Sequence, residues 1–183
     1  MHDPRREGNA FNPGMGSPTR FAHFYAGAGV VSSLYAAATT EAAICESLLH
    51  DTPLTGGILP IAGYATRTIT ALRLKRELSL AMLMGPGLRR LGVETQDIIA
   101  TNGDVYDKTV LWAQAAHTAG FEGIAWMSAR DNTAEAYIFF GDRVKESDLT
   151  VTDEGLGTFA PGSHGFTWLE AYCSLVNVEL LLA

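Results

Sequence analysis

Apolar and polar positions alternate with changing period along the chain. "GVVSSLYAA" (29–37) is short, apolar and β-rich and predicts a buried strand. "TTEAAICESLLHD" (39–51) switches to helical spacing. Thr39 or Thr40 can cap this helix, Glu41 sits in its first turn where the dipole favours an anion, and Pro53 ends it. Residues 56–78 predict one or two strands, of which "TITALRL" is the stronger. "LAMLM" (80–84) reads as a strand or a short helix, and "LRRLGVETQDIIA" is ambiguous. Residues 104–123 predict a helix with Asp104 as cap, apolar spacing through Val110, Leu111, Ala113 and Ala116, and a stop at Gly120. "GIAWMSA" (123–129) and "EAYIFFG" (135–141) predict strands joined by a turn through Asp131 and Asn132. The following stretch, "DRVKESDLTVTDEGLGTFAPGSHG", is polar and predicts a loop, and the apolar C-terminal segment fits helix or strand. Residues 1–20 carry the turn chemistry of "NPGMGSP" and predict a long loop laid across the rest. Strands and helices do not alternate regularly, so the expected class is α+β in one domain spanning 1–183.

Composition narrows the function. The 183 residues are 47% hydrophobic and 18% charged, enough for a real core without staples. The net charge is −7, which argues against direct nucleic-acid binding but leaves room for a local basic pocket that takes an anionic small molecule. Cys45 and Cys173 have no metal-ligand partner at short spacing and read as buried thiols, in keeping with a cytoplasmic protein. The polar start "MHDPRREGNA" does not read as a signal peptide, and no apolar run approaches the roughly 20 residues of a membrane span. The phosphate-binding loop G-x-x-x-x-G-K-[ST], the G-x-S-x-G elbow and the H-E-x-x-H zinc motif are missing, and the five histidines are scattered, so no metal is expected.

One constellation asks for a chemical explanation. Arg20 lies in "TRF", Tyr35 falls where the first strand should end, and Glu46 follows eleven residues later, about two and a half turns into the predicted helix. A helix packing back along its strand can bring the last two into one cleft. A strand arginine can grip a diphosphate, a tyrosine ring can stack on a cationic ring such as nicotinamide, and a carboxylate can stabilise an oxocarbenium-like transition state. Each residue also has a plainer reading. Arg20 can be a solvated residue, Tyr35 a core aromatic, and Glu46 the partner of Arg20 in a structural ion pair.

The segments "TRFAHF", "SLYAAATTEAAICE" and "GFEGIAWMSAR" resemble the RES-domain family, toxins of bacterial toxin–antitoxin pairs. The resemblance covers roughly residues 11–145, and "LYAAATTEAAICE" is its specific part. It implies an ADP-ribosyltransferase-like fold of the diphtheria-toxin type, with mixed or antiparallel sheets and flanking helices. It also implies NAD as substrate, cleaved at the nicotinamide–ribose bond with water, phosphate or a protein side chain as acceptor. Carried over residue by residue, Arg20 binds the diphosphate, Tyr35 is the nicotinamide platform, Glu46 is the catalytic carboxylate and Ser128 is the family's serine. The implied partner is an Xre-like helix-turn-helix antitoxin, to which DNA binding would belong.

Two departures stand out. The family carries a further arginine in a first strand, whereas this chain begins "MHDPRREGNAFNPG", like the tail of such a segment, with Arg5 or Arg6 as stand-ins and 1–19 as a loop-like segment. "AWMSAR" replaces the family's Tyr-Pro before the serine, with Trp126 keeping the aromatic character; Ser128 otherwise reads as a strand-end serine. Ser33, Thr39, Thr40, His50 and Asn132 are further candidates for ribose or phosphate. Their alternative roles are capping for the threonines, a dipole-favoured helix end for His50 at i+4 from Glu46, and turn chemistry for Asn132. Tyr106 and Thr109 open the long helix beside the expected cleft. A protein ADP-ribosyltransferase and a non-catalytic antitoxin-binding module are the competing functions, and the apolar C-terminus permits a homo-oligomer.

Overall fold

The computed structural model describes residues 1–99 and 106–182 and shows a compact α+β fold. Its centre is a four-stranded sheet. Strand β3 (Ser33–Ala37) pairs antiparallel with β8 (Glu135–Phe140), β8 antiparallel with β7 (Gly123–Met127), and β7 parallel with β6 (Leu80–Met82). The near-continuous apolar run of β7 is buried along almost its whole length, because both faces of the central strands are covered. Helix α5 (Tyr106–Thr118) packs on β7 and ends before Gly120, whose φ of 97° belongs to the left-handed region. The cap expected at Asp104 lies outside the described residues. Phe21, Phe24, Trp126, Ile138 and Phe140 are fully or almost fully buried in this core. Burying each such side chain contributes about 1.5–3 kcal/mol.

A second core lies beyond α1 (Thr40–Cys45). It gathers Ile44, Leu59, Tyr64, Phe159, Phe166, Leu169 and Cys173. The apolar C-terminal segment resolves into both structures its pattern allowed, helix α6 (His164–Leu175) and then β10 (Val178–Leu180). Strand β10 runs parallel to β4 (Gly57–Leu59). Cys45 and Cys173 are both free and buried. The segment 56–78 contains β4, a single helical turn α2 (Ile61–Tyr64) and β5 (Thr68–Leu74). The ambiguous "LRRLGVETQDIIA" takes part in two short helices, α3 (Pro86–Leu91) and α4 (Thr95–Ile98). The first predicted strand is broken: β1 (Tyr25–Ala26) and β2 (Gly29–Val30) form a small hairpin ahead of β3.

Two expectations are overturned. The polar segment after β8, read as loop, contains the longest strand, β9 (Leu149–Thr158), paired antiparallel with β5. This ribbon leaves most of β9 half or fully exposed, so it shows no alternation that a burial pattern would write into the sequence. Its register shifts between Ile69 and Ala71, where Gly155 packs so close that an added Cβ would lie 2.8 Å from the Ala71 amide nitrogen. The helix expected over 39–51 stops at Cys45. The Ser47 hydroxyl donates to the Ala43 carbonyl, and the amides of Ser47, Leu48 and Leu49 all converge on the Ile44 carbonyl. Such competition by a serine hydroxyl unwinds the helix into turns well before Pro53. The N-terminal segment is a loop laid across the fold, tied by bridges from His2 to Thr68 and from Asn12 to Ser33. Among the described residues no helix is long and apolar enough to cross a membrane.

Candidate functional site

The reversal of the chain from β3 into α1 sets Tyr35 and Glu46 side by side in a cleft of about 410 Å³. Arg20, Thr19, Ser47, His50, Tyr106 and Trp126 complete its main walls. Arg20 occupies a turn between exposed Thr19 and buried Phe21 rather than the strand expected for it. Phe21 and Ala22 anchor that turn in the core, and the Thr109 hydroxyl of α5 donates to the Arg20 carbonyl at 2.6 Å. Thr109 is thus a buried brace for Arg20.

Glu46 is the C-cap of α1 and does not lie in a third helical turn. A carboxylate there meets the negative end of the helix dipole, an unfavourable position unless partners offset it. Two partners do. The Ser128 hydroxyl donates to Oε1 at 2.7 Å, and Arg20 Nη1 lies 3.4 Å from Oε2. The Arg20 and Glu46 side chains are only 15% and 16% exposed. Ser128 itself is fully buried at the end of β7 and accepts from the Asp131 amide at 3.2 Å. Hydrogen bonds to a charged group contribute about 1.5–3 kcal/mol, so this network holds the carboxylate in one place.

Tyr35 is anchored by its far end. Its hydroxyl accepts from the Phe21 amide at 3.1 Å and lies 2.8 Å from the Thr19 hydroxyl. Desolvation of that hydroxyl, only partly countered by these hydrogen bonds, pushes its pKa up to about 12. The residue nevertheless keeps 37% of its surface exposed, as a platform residue needs. Trp126 meets the Tyr35 ring edge-on at 6.1 Å and is itself 1% exposed, with no hydrogen-bond partner for its Nε1 among the described residues. Trp126 therefore keeps an aromatic wall behind the platform.

The remaining candidates separate. Ser33, Thr39 and Thr40 line a second, larger cavity of about 750 Å³, which shares Met1, Thr19, Tyr35, Ala36 and Ala43 with the cleft. Thr39 also caps α1, accepting from the Ala42 amide at 3.1 Å. His50 lines the cleft, but the helix that would have stacked it over Glu46 ends first; its ring bonds the Ser47 carbonyl and Asp51. Asn132 borders neither cavity and sits in the β7–β8 turn with φ 57°, the turn role open to it from the sequence. Arg5 is exposed and paired with Asp3, while Arg6 reaches the larger cavity and donates to the Phe11 carbonyl. The sequence reading missed Arg67, Tyr137 and Phe139 in that cavity, since nothing local marks residues that meet only when β5, β8 and β9 assemble. Among the described residues no group of three or more His, Cys, Asp or Glu side chains is placed to hold a metal ion.

Searches of curated proteins and of solved structures each returned no match. The RES domain model matches residues 2–156, which include the whole of the Arg20–Tyr35–Glu46–Ser128 constellation. The chain belongs to the RES domain family.

Proposed function

We propose that this protein cleaves the nicotinamide–ribose bond of NAD, with water or phosphate as acceptor, as the toxin of a bacterial toxin–antitoxin pair. The observation that carries the reading is the Glu46 carboxylate, held by Ser128 and Arg20 beside an exposed tyrosine ring. The Tyr35 ring faces a positively charged nicotinamide well, because an aromatic face attracts cations. Glu46 supplies negative charge where the ribose develops oxocarbenium character. As the C–N bond breaks, nicotinamide leaves with the electron pair and loses its positive charge. A water oxygen then bonds the ribose carbon and releases one proton, giving ADP-ribose; phosphate in its place gives the 1-phosphate of ADP-ribose. A neutral, stable leaving group needs no proton, so one carboxylate suffices. Arg20 orients the diphosphate as well as Glu46.

The reading extends to an ADP-ribosyltransferase-like fold, a cytoplasmic setting and an Xre-like helix-turn-helix antitoxin that covers the cleft. An acidic toxin that leaves DNA contacts to its partner is consistent with the net charge of −7. The test is nicotinamide release from NAD, followed by chromatography with and without phosphate, beside Glu46→Gln. Release that depends on Glu46 is expected, and phosphate dependence names the acceptor. A folded wild-type protein that releases no nicotinamide would sink the reading; transfer of ADP-ribose to a protein target instead would make it a protein ADP-ribosyltransferase.

A further inference from the structure

Arg20 owes its direction to a very short loop. Thr19 and Ala22 bridge across its base, each amide donating to the other's carbonyl, so that only Arg20 and Phe21 lie at the tip. The peptide unit between those two residues takes no part in this closure. A tip peptide whose polar groups are both free can tilt, and it carries the preceding side chain with it. Here both ends of that one peptide are held. Its carbonyl, on Arg20, accepts from the Thr109 hydroxyl at 2.6 Å, and its N–H, on Phe21, donates to the Tyr35 hydroxyl at 3.1 Å. The two hydroxyls come from different elements, α5 and β3.

Neither bond is the one that local chemistry would choose. A helical threonine usually gives its proton to a carbonyl one turn back. Thr109 has the Tyr106 carbonyl at 3.4 Å for that purpose, yet its single proton has the shorter path to Arg20. The side chain is buried and does not line the cleft. The Tyr35 hydroxyl, having accepted from Phe21, still has a proton to give. The Thr19 hydroxyl takes it at 2.8 Å and donates its own to the Ala22 carbonyl at 3.1 Å. The chain of donors therefore runs from the tip of the loop back to its base, and every hydroxyl in it is satisfied.

We propose that Thr109 and the Tyr35 hydroxyl are a positioning pair, which clamps the Arg20–Phe21 peptide at both ends and so holds the Arg20 side chain beside Glu46. The substrate that the clamp serves rests on the NAD reading above; the clamp itself rests on the geometry. Tyr35 then has two separable roles, its ring as a wall of the cleft and its hydroxyl as half of the clamp. Thr109 acts on the substrate only through Arg20. An Arg20 that orients the bound diphosphate contributes to ground-state binding, so loosening it weakens binding before it slows the chemical step.

The test is steady-state cleavage of NAD by the full chain. Thr109→Val keeps the shape and removes the hydroxyl; it is expected to raise KM about tenfold and to change kcat by less than about twofold. Thr109→Ser returns the hydroxyl and is expected to restore KM. Tyr35→Phe keeps the ring and is expected to behave as Thr109→Val does. In an Arg20→Ala background neither substitution should move KM further, because a residue that acts through Arg20 has nothing left to position. An unchanged KM in Thr109→Val, or a rise that persists in the Arg20→Ala background, overturns the clamp. A brace for stability alone would lower the unfolding midpoint and leave KM where it is.

A second readout needs no substrate. The coupling between Arg20→Ala and Glu46→Gln is measured in urea unfolding, once in the wild-type background and once in Thr109→Val. Most of the coupling is expected to be lost in Thr109→Val, and equal coupling in the two backgrounds overturns the clamp. The two readings fail separately. Coupling that depends on Thr109, in a protein that releases no nicotinamide, keeps the clamp and removes the NAD reading. Nicotinamide release with KM and coupling unmoved by Thr109→Val removes the clamp and keeps the NAD reading.

Discussion

The two adjoining cavities share a wall and differ in how their charges are held. In the smaller one Arg20 and, from behind the lining, Ser128 both hold the Glu46 carboxylate, and Arg20 and Glu46 are mostly buried. In the larger one Arg67 is exposed just ahead of β5, with the Asp3 carboxylate and the Met1 amino group within its electrostatic reach, beside a ribbon that is largely open to solvent. The smaller cavity rests on the four-stranded sheet through Ser128 and Trp126, and on the core-anchored turn at Arg20. Preorganised charge suits a transition state, which gives the site no time to rearrange. An exposed charge that only solvent and a distant carboxylate hold suits ground-state binding. On the proposed function, the difference separates a place for chemistry from a place for recognition, and mutations are expected to sort along that line.

The largest expected effect is at Glu46. Glu46→Gln keeps an oxygen for the Ser128 hydroxyl but removes the charge, and nicotinamide release should fall about 10³-fold with thermal unfolding little changed. A small drop would show that the carboxylate is not the reacting group. Arg20→Ala leaves a mostly buried carboxylate with one partner fewer, so a stability loss of about 3 kcal/mol in denaturant unfolding is expected, together with a raised KM for NAD. Ser128→Ala should cost about 2 kcal/mol in the same measurement and lower kcat more than it raises KM, since it loosens Glu46 without touching Arg20. By contrast, Val151→Ala on the half-open face of the ribbon should change stability by no more than about 0.5 kcal/mol.

A pH series sharpens the comparison further. The Tyr35 pKa is raised in the folded state, from 10.0 to about 12, so folding favours the protonated phenol. That contribution is fully present below pH 10 and is lost as pH climbs toward 12. Over this window the wild type should lose more stability than Tyr35→Phe, measured as denaturation midpoints at each pH. Identical pH slopes in the two proteins would show that the hydroxyl is not desolvated.

Much of this was legible in the residues, for local reasons. The buried strands β7 and β8, the helix α5 and the two-natured C-terminal segment each carry their pattern within a dozen or so contiguous residues. The candidate site residues were suggested by spacing and the family's segments, because Tyr35 and Glu46 lie on one strand-to-helix reversal. Two things were not legible. Ribbon strand β9 has little buried face, so no hydrophobic period announces it. The early end of α1 is set by one serine hydroxyl competing for a carbonyl, a contact that the apolar pattern of "AAICESLL" conceals.

The class of fold, the central strands and a candidate set of site residues could be read from the chain alone, because these follow from local periodicity and short motifs. Which of these residues meet in space became visible only in the folded chain. Ser128 is 82 residues from Glu46 and Arg20 is 26 residues from it, yet both meet its carboxylate. The same closure brings Arg67 and the Tyr137–Phe139 pair around one cavity. No local rule contains those distances. They arise when separate strands and turns bury their apolar faces together, and the polar groups they carry are brought to a common centre.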